Sequence, residues 1–366
     1  MMHIRVIRFK LLFSTALAVL LVGCMHDDPL KLSYPGYVPS AGSDGWSTAS
    51  PSDAGMDSVK LDSAYRRLYT SGDFTSARSM VVVRRGKLVG EAYCTDLLDR
   101  TRPNAIWSCT KSVTSLVTGF ALRDGYIDSL DDPIEKYLPQ QLNKHPEHKG
   151  ITIRNLLTMR AGIDFNAGLD EQTGQLLSEI PDDCVDYILS NKQIDAPGPV
   201  FSYNNGVPTL LSAVIQSRAA MNLGDYARKK LFEPLGISNY KWDNYRDGVT
   251  LGAYGLWMIP RDLAKIGWMV CDTGKWAGRQ IVSPDWIWQS ATGIMATTTS
   301  LYGFYWWIDA GAQCVYMAGH GGQFVFVVPE KQLVVVITSD AFTQGAFELA
   351  LDKAQALLHL AIESCR

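Results

Sequence analysis

Ser108-Cys109-Thr110-Lys111 sets a hydroxyl and an amine three residues apart, one helical turn, so that both fall on one face. A serine made nucleophilic by a neighbouring amine would have this layout. The residues after it, Ser112 to Leu122, carry apolar side chains at helical spacing and contain no proline, which predicts a buried helix with Ser108 at its start. Ser238-Asn239-Tyr240-Lys241 repeats the S-x-x-K spacing, but it comes after Pro234-Leu235-Gly236 and leads into Asp243-Asn244. No helix is expected there to hold the pair in register, so Ser238 reads as a loop serine.

For Lys111 to accept a proton it must be neutral, and moving its pKa from about 10.4 toward 7 requires around 4 kcal/mol of differential stabilisation. Burial supplies part of this, and a second proton carrier helps. Phe201-Ser202-Tyr203-Asn204-Asn205-Gly206 offers one: Tyr203 can pass a proton, and Asn205 can hydrogen-bond the same site. Pro197, Gly198 and Pro199 place the segment on a loop. A third element, Ala318-Gly319-His320-Gly321-Gly322-Gln323, lies just before an apolar strand. Its glycines would let backbone approach a ligand and present N–H donors to an oxyanion beside that of Ser108.

These segments need a scaffold. Val81–Val83 and Leu88–Gly90 flank Arg85-Gly86-Lys87 as a β-hairpin, and strand patterns return at Tyr305–Ile308, Phe324–Val328 and Leu333–Ile337. Between them, from Val113 to about Gln289, the pattern is mostly helical, and a last helix runs from Ala346 to Glu363. The expected fold is α+β: an antiparallel sheet built from both chain ends and flanked by helices, with a second, mainly helical lobe and a ligand cleft between them. Residues 56–345 form the catalytic domain in this reading, with the α/β lobe at about 56–110 and 295–366 and the helical lobe at about 111–294; 346–366 is the C-terminal helix.

The N-terminus reads as an export signal. Arg5, Arg8 and Lys10 precede an apolar run from Leu11 to Val22 that is too short to span a bilayer. Leu21-Val22-Gly23-Cys24 resembles the bacterial lipoprotein cleavage box, so residues 1–23 are the expected signal peptide and Cys24 the lipidated residue. Met25 after it favours the outer membrane, on the periplasmic side. Residues 24–55, rich in Ser, Gly, Pro and Asp, read as a flexible tether. The chain has 366 residues with a net charge of −3 and no basic run, which leaves nucleic-acid binding without an electrostatic footprint. Six cysteines besides Cys24 show no recognisable disulfide framework and no C-x-x-C; some could pair in an oxidising compartment, and Cys109 reads as a small core side chain.

Taken in order, these segments resemble the serine β-lactamase-like family of class C β-lactamases, D,D-peptidases, family VIII esterases and nylon-oligomer hydrolases. The resemblance covers roughly residues 56–345 and includes S-x-x-K at Ser108–Lys111, Y-x-N at Tyr203–Asn205, Asp124–Pro133, Ile151–Met159 and Leu231–Ile237. It implies Ser108 as nucleophile, Lys111 as general base, Tyr203 as proton relay, Asn205 on the acyl side of the substrate, and the N–H groups of Ser108 and Gln323 as the oxyanion hole. No cofactor or metal is implied. Where β-lactamases of this family carry K-T-G, this chain has His320-Gly321-Gly322. A histidine, with an ordinary pKa near 6.5, holds a carboxylate less firmly than a lysine. Small esters or amides lacking that carboxylate are therefore expected ahead of β-lactams or cell-wall peptides.

Competing constellations are weaker. No G-x-S-x-G pentapeptide occurs, so a Ser-His-Asp hydrolase of that type is excluded. His145-Pro146-Glu147-His148 has the spacing of two metal ligands but reads as a solvated loop without a third. A catalytically silent lipoprotein that binds peptidoglycan would have no need of Ser108, Lys111 and Tyr203 together.

Overall fold

The computed structural model describes residues 31–165, 182–292, 295–296, 301–340 and 349–366. Its main sheet has eight strands: β1 (Ala77–Arg84), β2 (Lys87–Tyr93), β3 (Met295–Ala296), β4 (Leu301–Tyr302), β5 (Trp307–Asp309), β6 (Cys314–Gly319), β7 (Gln323–Val328) and β8 (Leu333–Ser339). Their order across the sheet is β2-β1-β8-β7-β6-β5-β4-β3, antiparallel throughout, so the first hairpin of the chain pairs with its last strand. Five helices cover the sheet or carry the site: α1 (Ser58–Thr70), α2 (Cys109–Arg123), α3 (Val207–Ala219), α4 (Pro260–Cys271) and α5 (Leu351–Ser364).

Strand alternation explains the layering. Met80, Val82, Phe326, Val335 and Ile337 face one way and bury against Leu61, Tyr65 and Leu68 of α1 and Leu357 and Leu358 of α5. Val81, Val83, Val325, Val327, Val334 and Val336 face the other way, against Leu263, Ile266 and Val270 of α4. Because both faces are covered, β7 and β8 are buried along their whole length, which is why they read as continuous apolar runs. Gly267 allows α4 to lie close: a Cβ there would come within 2.7 Å of Val334 Cγ1 and 2.9 Å of Val325 Cγ1. Thus α4 belongs to the sheet, although its residues fall in the segment expected to form the helical lobe.

α2 is buried on nearly every side, as its apolar and small residues all round the axis require. Three of its hydroxyls are tied to backbone: Ser112 Oγ donates to Tyr305 O at 2.6 Å, Thr114 Oγ1 to Gly252 O at 2.8 Å and Thr118 Oγ1 to Thr114 O at 2.8 Å.

Several expectations are corrected. Residues 31–55 are no tether: Leu32 N donates to Cys94 O, Tyr37 stacks on Tyr65 at 4.9 Å, and buried Trp46 donates its indole N–H to Arg261 O. Asp44 also pairs with Arg261 at 2.8 Å. Averaged composition hid these few anchoring side chains. His148 is fully buried rather than solvated, its ring nitrogens bonding Gln193 Oε1 and Leu189 O. Tyr305 has φ +63°, so the strand expected at Tyr305–Ile308 begins at Trp307. Cys94, Cys109, Cys184, Cys271, Cys314 and Cys365 are all unpaired. The signal peptide, Cys24 and the first residues of the expected C-terminal helix lie outside the described residues.

Candidate active site

Ser108 caps α2 and comes directly after Trp107, a buried residue with φ +51°. A non-glycine residue in the left-handed region costs of order 1–3 kcal/mol and persists only where its surroundings impose it. Here Ile106 N bonds Leu256 O at 3.0 Å, and the Trp107 ring packs edge-on against His320 at 5.2 Å. The turn directs Ser108 out of the short strand Asn104–Ala105 and into the helix start.

Lys111, 1% exposed, makes three contacts through Nζ: Ser108 Oγ at 2.9 Å, Asn205 Oδ1 at 2.8 Å and Ala253 O at 3.1 Å. Two of these partners can only accept. A neutral amine has two N–H donors and one lone pair, so donating to Asn205 and Ala253 leaves the lone pair aimed at the Ser108 hydroxyl. Burial lowers the Lys111 pKa to about 7, which makes that neutral form abundant near neutrality.

Tyr203 is on the loop before α3, 37% exposed as a residue, with its ring centroid 4.8 Å from Lys111 Nζ and its side chain beside Ser108 on the wall of one cavity. Trp307 stacks on the ring at 5.9 Å and Tyr302 meets it edge-on at 6.5 Å. Burial pushes the phenol well above its usual range, and the neighbouring Ser108 hydroxyl offsets only part of that. A phenol held neutral can donate a hydrogen bond, whereas the buried amine of Lys111 is the group here that can accept a proton near neutrality. The loop itself is fixed by Asn204, whose Oδ1 accepts from Gly206 N and Val207 N while Nδ2 donates to Ile163 O. Asn204 is absent from the residues singled out by sequence, although an Asn two residues before Gly-Val-Pro is a helix-start signal.

Beside Ser108 is a cavity of about 400 Å³, bounded by Tyr203, Trp307, Ala318, Gly319, His320 and Leu349. Gly322 and Gln323 do not line it. Gln323 is 2% exposed and its side chain is spent on Ser339, donating to its carbonyl at 2.7 Å and accepting from its N–H. Gly322, at φ +92°, makes room for Leu349, whose Cβ would lie 2.4 Å from a Cβ placed there. The structure thus brings Ser108, Lys111, Tyr203, Asn205 and His320 together; the Gln323 side chain packs inward, while its backbone carbonyl accepts from Cys109 Sγ at 3.4 Å. The sequence could not separate these, because Ala318, Gly319 and His320 line the cavity on one side of the turn and Phe324 on the other, while the Gln323 side chain between them is buried.

Gly319 sits where β6 meets the nucleophile turn. A Cβ there would come within 2.4 Å of Ile106 O and 3.2 Å of Trp107 Cβ. Gly319→Ala must therefore shift backbone at the nucleophile, and kcat/KM is expected to fall about 100-fold with secondary structure by circular dichroism unchanged. Activity within twofold of wild type would contradict this placement.

Comparisons with known proteins bear on the fold and the family. A β-lactamase of Yersinia enterocolitica is 27% identical over 185 residues, 43% of this chain and 44% of that protein. Among solved structures, EstCE1, a hydrolase with promiscuous acyltransferase activity, aligns at TM-score 0.66 and 16% identity, covering 83% of this chain and 97% of its own. A class C β-lactamase aligns at TM-score 0.66 and 15% identity, covering 84% and 96%. At these identities the structures share the fold, and the chain spans about half the length of the curated relative. The β-lactamase family model matches residues 64–360, and this chain belongs to that family of serine hydrolases with the β-lactamase/transpeptidase-like fold.

Proposed function

We propose that the protein hydrolyses an ester or amide through an acyl-enzyme on Ser108. The observation that carries this is the hydrogen-bond set of Lys111, which uses both N–H groups on fixed acceptors and leaves its lone pair to the serine. Lys111 takes the Ser108 proton as Oγ bonds to the carbonyl carbon, and the carbonyl oxygen becomes an oxyanion. The Ser108 N–H is one oxyanion donor. The second is assigned to the backbone of the Gly319–His320 stretch, which lines the cavity, rather than to Gln323. As the tetrahedral intermediate collapses, the proton passes from Lys111 through the Tyr203 hydroxyl to the leaving group. Water then attacks the acyl-enzyme and gives its proton to the same base, which passes it to Ser108 Oγ as the acyl bond breaks and the acid leaves.

No Lys, Arg, Asp or Glu lines the cavity among the described residues, and its walls are largely Trp307, Phe324, Leu349 and Leu351. That supports a substrate with an uncharged acyl side over a β-lactam or a D-alanyl peptide, whose carboxylate would need a cation. A panel of nitrophenyl esters, nitrocefin and D-alanyl-D-alanine peptides tests it. The expected result is ester turnover exceeding that of the other two in kcat/KM, and a preference for nitrocefin or the peptide would overturn it.

The order of positive lead, apolar run and Leu21-Val22-Gly23-Cys24 supports export and lipid anchoring at Cys24. Metabolic labelling with an alkyne palmitate, lost in Cys24→Ala, is the expected outcome; label retained in that variant would refute the anchor.

The pH dependence is set by Lys111. Below about pH 7 the amine is protonated and has no lone pair for Ser108; above it the amine is neutral. kcat/KM for an uncharged ester should rise with unit slope through an apparent pKa near 7 and level off above it. A profile flat from pH 5 to 8 would exclude Lys111 as the base.

A further inference from the structure

We propose a second site, remote from Ser108, that binds phosphate-bearing anions at the far end of α2. A cavity of about 280 Å³ opens there, lined by Arg123, Lys229, Lys230, Pro234, Arg279 and Gln280. Its four cations come from three segments that are distant in sequence. Arg123 is the last residue of α2. Lys229 and Lys230 lie on a π-helical turn, Arg228–Phe232, a rare conformation that recurs at functional sites. Arg279 is held on a hairpin whose two turn residues, Ala277 and Gly278, have φ +48° and +77°.

The charge there is not neutralised. Asp124 is the one carboxylate bonded to these cations among the described residues, at 2.9 Å from Arg123 and 2.7 Å from Lys230, and it also accepts from Tyr226 Oη at 2.8 Å. Lys229 and Arg279 are exposed and make no ion pair among the described residues. One concave surface therefore carries an excess of about three positive charges in a chain whose net charge is −3. Guanidinium groups match phosphate oxygens in pairs, and lysines add point charge, so a phosphate or pyrophosphate group fits this set. The patch was invisible in the sequence because no two of its three segments are neighbours. A helix of this length puts it roughly 22 Å from Ser108, too far to be a subsite of the hydrolytic cavity.

Isothermal titration of the full-length protein with inorganic pyrophosphate tests the site. One saturable site is expected, weakened about tenfold or more in Lys229→Ala/Arg279→Ala, unaltered in Lys149→Ala, and with ester hydrolysis retained throughout. Cosedimentation with phosphatidylcholine vesicles, with and without phosphatidylglycerol, separates the two sources of phosphate. A phosphatidylglycerol-dependent increment lost in the double variant assigns the site to a lipid headgroup; pyrophosphate binding without that increment assigns it to a free phosphate ligand. Absence of both, or binding of equal strength in the double variant, overturns the proposal.

Discussion

Lys111→Met should lower the rate of Ser108 acylation by roughly 10²–10⁴-fold, the range a positioned general base contributes. Methionine fills nearly the same buried volume, so the helix start and the cavity stay in place. What is lost is the lone pair facing Ser108 Oγ at 2.9 Å. Asn205 Oδ1 and Ala253 O lose their donor as well, a cost of about 1–3 kcal/mol for each unsatisfied group, offset by no longer burying an amine. Stability should therefore move much less than activity. Stopped-flow release of nitrophenol in a single turnover reports acylation directly, and a fall of less than tenfold would show that Lys111 is not the base.

The second large effect is on stability. Arg261→Ala removes a buried guanidinium that donates to both Glu91 oxygens at 2.7 Å, to Asp44 at 2.8 Å and to Ser40 O at 2.7 Å. Glu91, also buried, would keep its charge without its partner, and breaking such a pair costs about 3–5 kcal/mol. The melting temperature should fall by roughly 6–12 °C. Burial alone would raise the Glu91 pKa, but the hydrogen bonds and charge of Arg261 outweigh it and hold the carboxyl below its usual range. A depressed carboxylate pKa stabilises the fold above the unfolded value and ceases to do so as pH falls through the folded one. The deficit of the variant should thus be full at neutral pH and shrink below about pH 4. Limited proteolysis should cut first within residues 31–55, which Arg261 pins through Asp44 and Ser40. A melting temperature within about 2 °C of wild type, or first cleavage elsewhere, would contradict this account.

Much of the fold was legible because both faces of the sheet are covered. Continuous apolar runs at Phe324–Val328 and Leu333–Ile337 left few alternatives to buried strands, and α2 declared itself by apolar and small residues without a break. The proposed nucleophile, its amine and its phenol were legible as residue types at fixed spacing. What could not be read was direction. Nothing in Ala318–Gln323 says which of its side chains face Ser108, and that of Gln323 turns inward to Ser339. Residues 31–55 misled because Tyr37, Asp44 and Trp46 outweigh the polar residues around them. Ala253 was hidden for a different reason: a carbonyl that orients the Lys111 amine carries no side-chain signature.

The most direct test of the central claim is covalent labelling by a fluorophosphonate, with the adduct located by peptide mass spectrometry, in wild type, Ser108→Ala and Lys111→Met. One adduct on Ser108 is predicted, absent in Ser108→Ala and formed far more slowly in Lys111→Met. An adduct on any other serine, or labelling of Lys111→Met at the wild-type rate, would contradict it.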